Sequence, residues 1–340
     1  MPYRFAIIGC GQIAQRHAAE IAAVGTLVAV CDVIIERASV LAAKYDAIAY
    51  SSIDQLLKET DVDIVCVCTP NGLHAAHSIS ALNAGSHVLC EKPMAIAVAD
   101  GKNMIDAATK NNRKLYVVKQ NRFNPPVAAV RKLFEEGKLG RIHSFQLNCF
   151  WNRPPAYYNN NWRGTANLDG GTLYTQFSHF IDLLYWFMGD VAEAHGVRSN
   201  VLHKNIIEFE DNGSAILQMA SGASGIVQYS INSYGRNMEG SLTLFGEKGT
   251  VKIGGQYLNQ LEYFNVKDAQ LPTLIPGNSS NNYSHYEGSM SNHRRVYEEL
   301  IKALSQPMHE MVEATEALKT IEIVEKIYAN SPMTGTQNNL

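Results

Sequence analysis

The run Arg4-Phe5-Ala6-Ile7-Ile8 passes directly into Gly9-Cys10-Gly11-Gln12-Ile13-Ala14, and this junction constrains the fold more than any other stretch of the chain. A short continuous apolar run suits a strand buried on both faces of a parallel sheet. The glycines that follow permit a turn too tight for larger side chains, and Gln12–Val24 then carries apolar residues at helical spacing. Strand, glycine turn and helix together open a βαβ unit.

The alternation continues to about residue 120. Strands are expected at Leu27–Asp32, Ile48–Tyr50, Asp63–Cys68, Ser86–Cys90 and Lys114–Val118. Helices are expected at Glu36–Tyr45, Ser52–Glu59, Asn71–Ala84 and Val98–Asn111. This pattern predicts an α/β fold, a doubly wound parallel sheet of the Rossmann type over residues 1–121. After that the pattern changes. Helices are expected at Pro126–Glu136 and Gly170–Met188, a strand at Ile142–Trp151, and strand after strand from Val191 to Asn265, broken by the hairpin signals Asp211-Asn212-Gly213, Ser224-Gly225 and Glu247-Lys248-Gly249. Residues 122–340 are therefore expected to form an α+β domain with a large, mostly antiparallel sheet. The polar stretch 268–290 reads as a long surface loop, Asn292–Leu304 and Val312–Asn330 as helices, and the tail after Ser331 as loose.

The glycine turn carries a cofactor prediction. Gly9 allows the tight turn, Gly11 lets a pyrophosphate approach the backbone at the helix N-terminus beside Gln12 and Ile13, and Ala14 permits close helix–strand packing. Asp32 ends the next strand, where a carboxylate accepts hydrogen bonds from ribose hydroxyls and repels a 2′-phosphate. NAD is thus favoured over NADP, with Arg37 read as a solvated helix residue. Ligands of such sheets bind at the carboxyl ends of the strands. Three polar loops follow buried strands there: Thr69-Pro70-Asn71, leading to His74; Glu91-Lys92-Pro93; and Gln120-Asn121-Arg122.

Cys68-Thr69-Pro70-Asn71 with His74, and Ala84-Gly85-Ser86-His87-Val88-Leu89-Cys90-Glu91-Lys92-Pro93, resemble the glucose–fructose oxidoreductase/inositol dehydrogenase (Gfo/Idh/MocA) family over essentially the whole chain. The resemblance implies that Lys92 lies near the nicotinamide and the substrate. It also implies that Gly170-Gly171, His179 and Asp182 represent the family's second signature, with Thr175 standing where many members have aspartate. Lys92 and His179 are then the chemical pair. Lys92 either accepts the hydroxyl proton or holds substrate and cofactor as a cation, and His179 contacts the reacting hydroxyl; Asp182 packs or hydrogen-bonds. Thr69, Asn71, His74, Glu91, Gln120, Trp162 and Arg163 join the cofactor side.

The segments 119–127, Trp162-Arg163-Gly164-Thr165 and Thr175-Gln176-Phe177-Ser178-His179-Phe180-Ile181-Asp182 resemble a subgroup that oxidises C3 of UDP-2-acetamido-2-deoxyglucuronate for bacterial surface polysaccharide, including lipopolysaccharide O-antigen. This implies a UDP-sugar acid as substrate. Arg163 would take its carboxylate, with Thr165, Gln176 and Ser178 around it. Asn121 would lie in the same pocket, and Tyr157 in the loop 157–162 would stack on base or sugar. Arg122 and Arg153 are either diphosphate ligands or structural pairs. Another sugar or polyol, or an NAD-using glycoside hydrolase, stays open as the activity.

Composition narrows the remaining classes. With 46% hydrophobic and 18% charged residues and a formal charge of −3, the 340-residue chain is neither disordered nor a nucleic-acid binder. No apolar stretch reaches the ~20 residues of a membrane span, and no secretory signal is read. All six cysteines lie in the first half, mostly in strand-like runs, so a reduced cytoplasmic protein is expected, without metal; Cys66-Val67-Cys68 places both sulfurs on one face of a buried strand. A homo-oligomer, dimer or tetramer, is expected through the C-terminal sheet by analogy with the family.

Overall fold

The computed structural model describes residues 2–159, 162–275, 277–282 and 287–334. They form two compact units, Met1–Lys119 with His293–Ile321, and Gln120–Asn292 with Glu322–Leu340.

In the first unit, β1 (Arg4–Ile8), β2 (Thr26–Cys31), β3 (Ile48–Tyr50), β4 (Ile64–Val67), β5 (His87–Cys90) and β6 (Leu115–Val117) alternate with α1 (Gln12–Val24), α2 (Ile35–Tyr45), α3 (Ile53–Glu59), α4 (His74–Asn83) and α5 (Val98–Lys110). The six strands pair in parallel, β1 at the centre between β2 and β4. Order reverses beside β1, which creates the crevice where doubly wound sheets bind ligands. Phe5–Ile8, Ile64–Val67 and Val88–Cys90 are buried throughout, as expected of strands covered on both faces.

The second unit opens with α6 (Pro125–Glu135) and β7 (Ile142–Phe150). The single helix expected over Gly170–Met188 is instead α7 (Thr172–Thr175) and α8 (Ser178–Met188). The break falls at Gln176-Phe177, where tertiary contacts override helical spacing. Gln176 is hydrogen-bonded to Arg153 and Tyr157, and Phe177 packs in an aromatic cluster with Trp151, Phe180 and Tyr229. Strands β8 (Val191–Ser199), β9 (Asn212–Met219), β10 (Ser224–Ser230), β11 (Glu239–Gly246), β12 (Gly249–Gly254) and β13 (Gln260–Val266) follow. They join β7 in one mostly antiparallel sheet in which β7 and β10 pair in parallel. Leu147, Leu217, Val227, Leu242 and Leu244 of this sheet are fully buried, as are Phe180, Leu183 and Leu184 of α8.

The polar stretch read as a long loop contains a two-stranded hairpin, β14 (Ser280–Asn282) and β15 (Glu287–Met290). Strands this short, in an Asn/Ser-rich stretch, carry no alternation to reveal them. The chain then returns to the first unit. Helix α9 (His293–Ser305) packs on α1, and β16 (Val312–Glu313) adds an antiparallel edge beside β6, making that sheet seven-stranded. A single boundary at 121/122 therefore misplaces residues 293–321: the buried face of α9, with Val296, Tyr297 and Leu300, belongs to the N-terminal core. Helix α10 (Ala314–Ala329) follows, and β17 (Met333–Thr334) pairs with β8. Residues 335–340 of the tail expected to be loose lie outside the described residues.

Among the described residues, no helix is long and apolar enough to cross a membrane. Leu147 sits fully buried on β7, flanked by β10 and β11. Leu147→Ala is expected to cost about 2–5 kcal/mol, the usual range for a core leucine, and to lower the midpoint of thermal unfolding followed by circular dichroism.

Candidate active site

In the first unit the geometry begins at the glycine turn. Gly9 adopts φ +92°, and a Cβ there would lie 2.7 Å from the Cys68 carbonyl oxygen, so only glycine fits. A Cβ on Gly11 would meet nothing within 4 Å. That open space, beside the N-terminus of α1 whose cap Gly11 offers no side-chain hydrogen bond, suits a pyrophosphate held by backbone N–H groups and the helix dipole. Gln12 and Ile13 form the first residues of that helix, and Ala14 is buried beneath it.

Asp32 follows β2. Its Oδ2 accepts the Cys10 backbone N–H at 2.8 Å and its Oδ1 that of Ile34 at 2.9 Å. The carboxylate is thereby fixed beside the turn, with lone pairs left for ribose hydroxyls. Val33, next to it, is 90% exposed; this apolar surface, which suits an adenine face, carried no signal in sequence. The donor set fits NAD: Gly11 and the α1 N-terminus would take the pyrophosphate, and Asp32 the ribose.

The other strand ends are tied together by His74. Its Nδ1 lies 2.7 Å from the Pro93 carbonyl and its Nε2 2.8 Å from that of Thr69. Both ring nitrogens thus face backbone, and His74 links the Thr69 loop to the Glu91-Lys92-Pro93 loop, with no ring nitrogen left for a cofactor. Burial holds its pKa below the ordinary value, against the two carbonyl contacts. The Thr69 hydroxyl lies 3.0 Å from His77 Nδ1, and Asn71 is buried at the start of the turn into α4. The Glu91 carboxylate is itself buried and accepts the Lys92 backbone N–H at 3.0 Å, an engagement within the protein where a cofactor contact was expected. Lys92 is half-buried.

The second unit holds the remaining expected residues. Arg122 and Asp182 form a buried two-point ion pair, Nε to Oδ2 and a terminal nitrogen to Oδ1, each 2.9 Å, with the guanidinium over the Trp186 ring. Of the two readings of Arg122, structural pairing is the one observed, and Asp182 is its partner. Arg153 is 2% exposed. It donates to Gln176 Oε1, to the Asn152 carbonyl and to Asn237 Oδ1, and stacks on Trp151 and Tyr157. It too is scaffold. Gln176 also donates to the Tyr157 hydroxyl at 2.9 Å, so its amide is spent on positioning.

Arg163 is half-buried, with its guanidinium carbon 4.2 Å from the Tyr157 ring centre and 5.5 Å from that of Trp162. Thr165 donates its hydroxyl to the Trp162 carbonyl at 2.7 Å, folding this loop. Asn160 and Asn161, in the stretch offered as a cover, lie outside the described residues. His179 and Ser178 open α8 and are buried. The Ser178 hydroxyl and both side-chain polar atoms of Asn121 are buried with no hydrogen-bond partner in the protein. Buried polar groups are almost always satisfied; the Tyr229 hydroxyl and the Asn232 amide oxygen of this unit are in the same condition. Gln120 spends its amide nitrogen on Ser289 at 2.9 Å, and its Oε1 is likewise without a partner.

Thr175 donates its hydroxyl to the Asp169 carboxylate, whose other oxygen accepts the Gly164 N–H at 2.7 Å. Asp169 was not singled out in sequence. It lies six positions from Thr175 in an unremarkable loop, and only the fold brings it to the Gly164-Thr165 turn. A cavity of about 550 Å³ lined by Glu239, Lys252, Gln256 and Tyr257, among others, contains none of the expected site residues.

A doubly wound sheet with a glycine turn, a fixed Asp32 and polar loops at the strand ends defines a dinucleotide-dependent oxidoreductase, and comparison with known proteins specifies which. Residues 3–119 match the oxidoreductase family with the NAD-binding Rossmann fold, and residues 127–252 the GFO/IDH/MocA C-terminal domain. The chain belongs to the GFO/IDH/MocA family, and it is an NAD-dependent enzyme. Among solved structures, it is similar to the WlbA dehydrogenase of Bordetella pertussis in complex with NADH and UDP-GlcNAcA, with 33% identity, TM-score 0.87, and coverage of 97% of this chain and 96% of that one. The Chromobacterium violaceum WlbA dehydrogenase, also with NADH and UDP-GlcNAcA, gives 34% identity, TM-score 0.86 and coverage of 97% and 93%. Among curated relatives, levoglucosan dehydrogenase of Pseudarthrobacter phenanthrenivorans is 28% identical over 61% of this chain, the match spanning 59% of that protein. Inositol 2-dehydrogenase of Salmonella typhimurium is 25% identical over 74% of each.

The two glycines are expected to separate in their effects. Gly9→Ala forces a strained φ and a backbone clash, so it lowers the unfolding midpoint and abolishes NADH binding together. Gly11→Ala leaves the midpoint unchanged but weakens NADH binding at least about tenfold, ~1.4 kcal/mol, as read by fluorescence titration.

Proposed function

We propose that the protein oxidises the C3 hydroxyl of a UDP-linked N-acetylated uronic acid, UDP-2-acetamido-2-deoxyglucuronate, to the 3-keto sugar. The observation that carries this reading is likeness along nearly the whole chain to two dehydrogenases crystallised with NADH and UDP-GlcNAcA. Arg163 supports it: a guanidinium on an aromatic shelf, in a loop folded by Thr165 and Asp169, suits a planar carboxylate. Asn121 and Ser178 would supply neutral hydrogen bonds to sugar hydroxyls or the acetamido group.

NAD, when bound, accepts the hydride from the carbinol carbon. The chain's own residues handle the proton and the orientation. Lys92, half-buried at the sheet edge, would accept the hydroxyl proton at its Nζ or hold the alkoxide as a cation. His179, buried at the start of α8, would contact the same hydroxyl as base or orienting group. Trp162, Gln120 and Asn71 would border the cofactor. A diacetamido-uronic acid for surface polysaccharide such as O-antigen is the product class into which such a keto sugar would feed.

The outward row of the large sheet carries Ile216 and Ile226 directly paired, with His195 beside them. At 60% and 45% exposed, these isoleucines suit burial against a second copy of the chain, so we place homo-oligomerisation on this face. Sedimentation velocity on wild type and Ile216→Glu checks it: the wild type is expected to run as an oligomer and the variant to dissociate.

The second reading, oxidation of a neutral sugar or polyol, is favoured by the curated relatives, which act on levoglucosan and inositol. NAD reduction with a panel of the UDP-sugar acid, UDP-N-acetylglucosamine, levoglucosan and myo-inositol separates the two. Turnover is expected with the UDP-sugar acid alone; turnover with only a neutral polyol would overturn the proposal. Arg163→Ala is expected to raise KM for the acid at least about tenfold, the loss of one charged hydrogen-bonded contact worth ~1.5–3 kcal/mol. Lys92→Ala is expected to bind NADH normally and to lose turnover.

A further inference from the structure

Neither the glycine turn nor the proposed proton chemistry accounts for a buried charged cluster in the first unit. Glu91 Oε1 lies 2.9 Å from His17 Nε2 and 3.4 Å from His293 Nε2, while Oε2 accepts the Lys92 backbone N–H at 3.0 Å. His17 Nδ1 in turn meets the Tyr297 hydroxyl at 2.7 Å, and that oxygen lies 3.2 Å from Cys66 Sγ. The members come from α1, β4, the loop after β5, and α9. All of them are buried.

Burial pushes the Glu91 carboxyl up, but hydrogen bonds from His17 and His293 and the charge they carry outweigh it and hold it well below its ordinary value. Burial keeps His293 below its ordinary value, opposed by its hydrogen bond to Glu91. For His17, burial is outweighed by the polarised Cys68 and Tyr297 side chains and by hydrogen bonds with Cys66 and Cys68, and the value is raised. Glu91 is thus the carboxylate of the cluster, met at one oxygen by two histidine Nε2 atoms. The other titratable or charged groups facing it are Cys68, just after β4, Cys90 of β5, His74 of α4 and Arg16 of α1.

A carboxylate held at one oxygen can swing; held at both, it fixes the peptide whose N–H it accepts. The loop is held again one peptide beyond the Lys92–Pro93 bond, where the Pro93 carbonyl meets His74. Lys92 is therefore held directly at the peptide on its N-terminal side and, beyond the Lys92–Pro93 bond, by a loop pinned again at the Pro93 carbonyl; these two anchors limit the direction in which its side chain leaves the loop.

We propose that His17, Glu91 and His293 are positioning residues for Lys92: the carboxylate clamped by two histidines fixes the Lys92 backbone and so aims its ammonium. The proposal rests on the reading of Lys92 as the proton-handling group. The three ligand atoms also lie within 4.8 Å of one another, close enough for a metal ion. At 2.9 Å, however, the His17–Glu91 contact is that of a hydrogen bond, and we assign it as one.

The test is trace acylation of the full-length protein with acetic anhydride across a range of pH, resolved lysine by lysine by mass spectrometry, for wild type, Glu91→Gln, His17→Asn and His293→Asn. The midpoint of the Lys92 profile is expected to shift by about one pH unit in Glu91→Gln and His17→Asn, with exposed Lys58 and Lys114 of the same unit unchanged. A merely structural role would lower the unfolding midpoint and leave the Lys92 profile of the folded protein alone. Glu91→Gln keeps shape and an acceptor for the Lys92 N–H, so it carries the test if a histidine variant fails to fold. An unchanged Lys92 profile in variants that still bind NADH would overturn the proposal, as would one equivalent of a divalent metal in the purified wild type. Turnover in Lys92→Ala is read separately; activity there would remove the role given to Lys92 and leave the acylation result standing.

Discussion

The Glu91 carboxylate, removed from water and held by His17, His293 and the Lys92 N–H, is the interaction on which the cofactor unit turns. A buried charge without its partner costs about 3–5 kcal/mol, so the segments that supply its partners are bound to each other's presence. Those segments are far apart in the chain: α1, which starts at the glycine turn, and α9, which arrives only after the whole second unit has been made. The return of α9 to the first unit brings with it both His293 and the apolar face of Val296, Tyr297 and Leu300. The same contact that completes the core also completes the surroundings of Lys92.

The second unit uses its buried arginines differently from what their charge suggested. Arg122 is neutralised by Asp182, and Arg153 is absorbed by amide and carbonyl oxygens and by aromatic rings. Both brace the region around α8. Arg163 stands on the Tyr157 ring in a loop pinned by Asp169. Arg163 also donates to the Tyr157 carbonyl, and it is the arginine to which the proposed function gives the substrate carboxylate. Thr175 is part of this bracing, since its hydroxyl binds Asp169, and Asp169 in turn holds the Gly164 backbone.

Much of the cofactor unit was legible in sequence because its signals are local. A buried strand followed by glycines and a helix, with an acid ending the next strand, fixes both turn and register, and Gly9 and Asp32 stand where that pattern puts them. The polar loops at the strand ends were legible for the same reason, although His74 proved to tie two loops together. What escaped depends on which side chains the fold brings together, from six residues apart to more than two hundred. Nothing local marks His293 or Tyr297 as partners of His17, or Asp169 as the partner of Thr175. The split between α7 and α8 escaped because apolar spacing continues across it while Gln176 and Phe177 are captured by other elements. The short hairpin at Ser280–Asn282 and Glu287–Met290 lies in a stretch whose composition reads as loop.

The central claim is hydride transfer from C3 of a UDP-linked N-acetylated uronic acid to NAD. Substrate carrying deuterium at C3, incubated with enzyme and NAD, tests it most directly when the reduced nicotinamide is examined by mass spectrometry. The account predicts one deuterium in the reduced cofactor and a 3-keto sugar still attached to UDP. Reduced cofactor without deuterium, or no reduction with this substrate while levoglucosan or myo-inositol is oxidised, would contradict it.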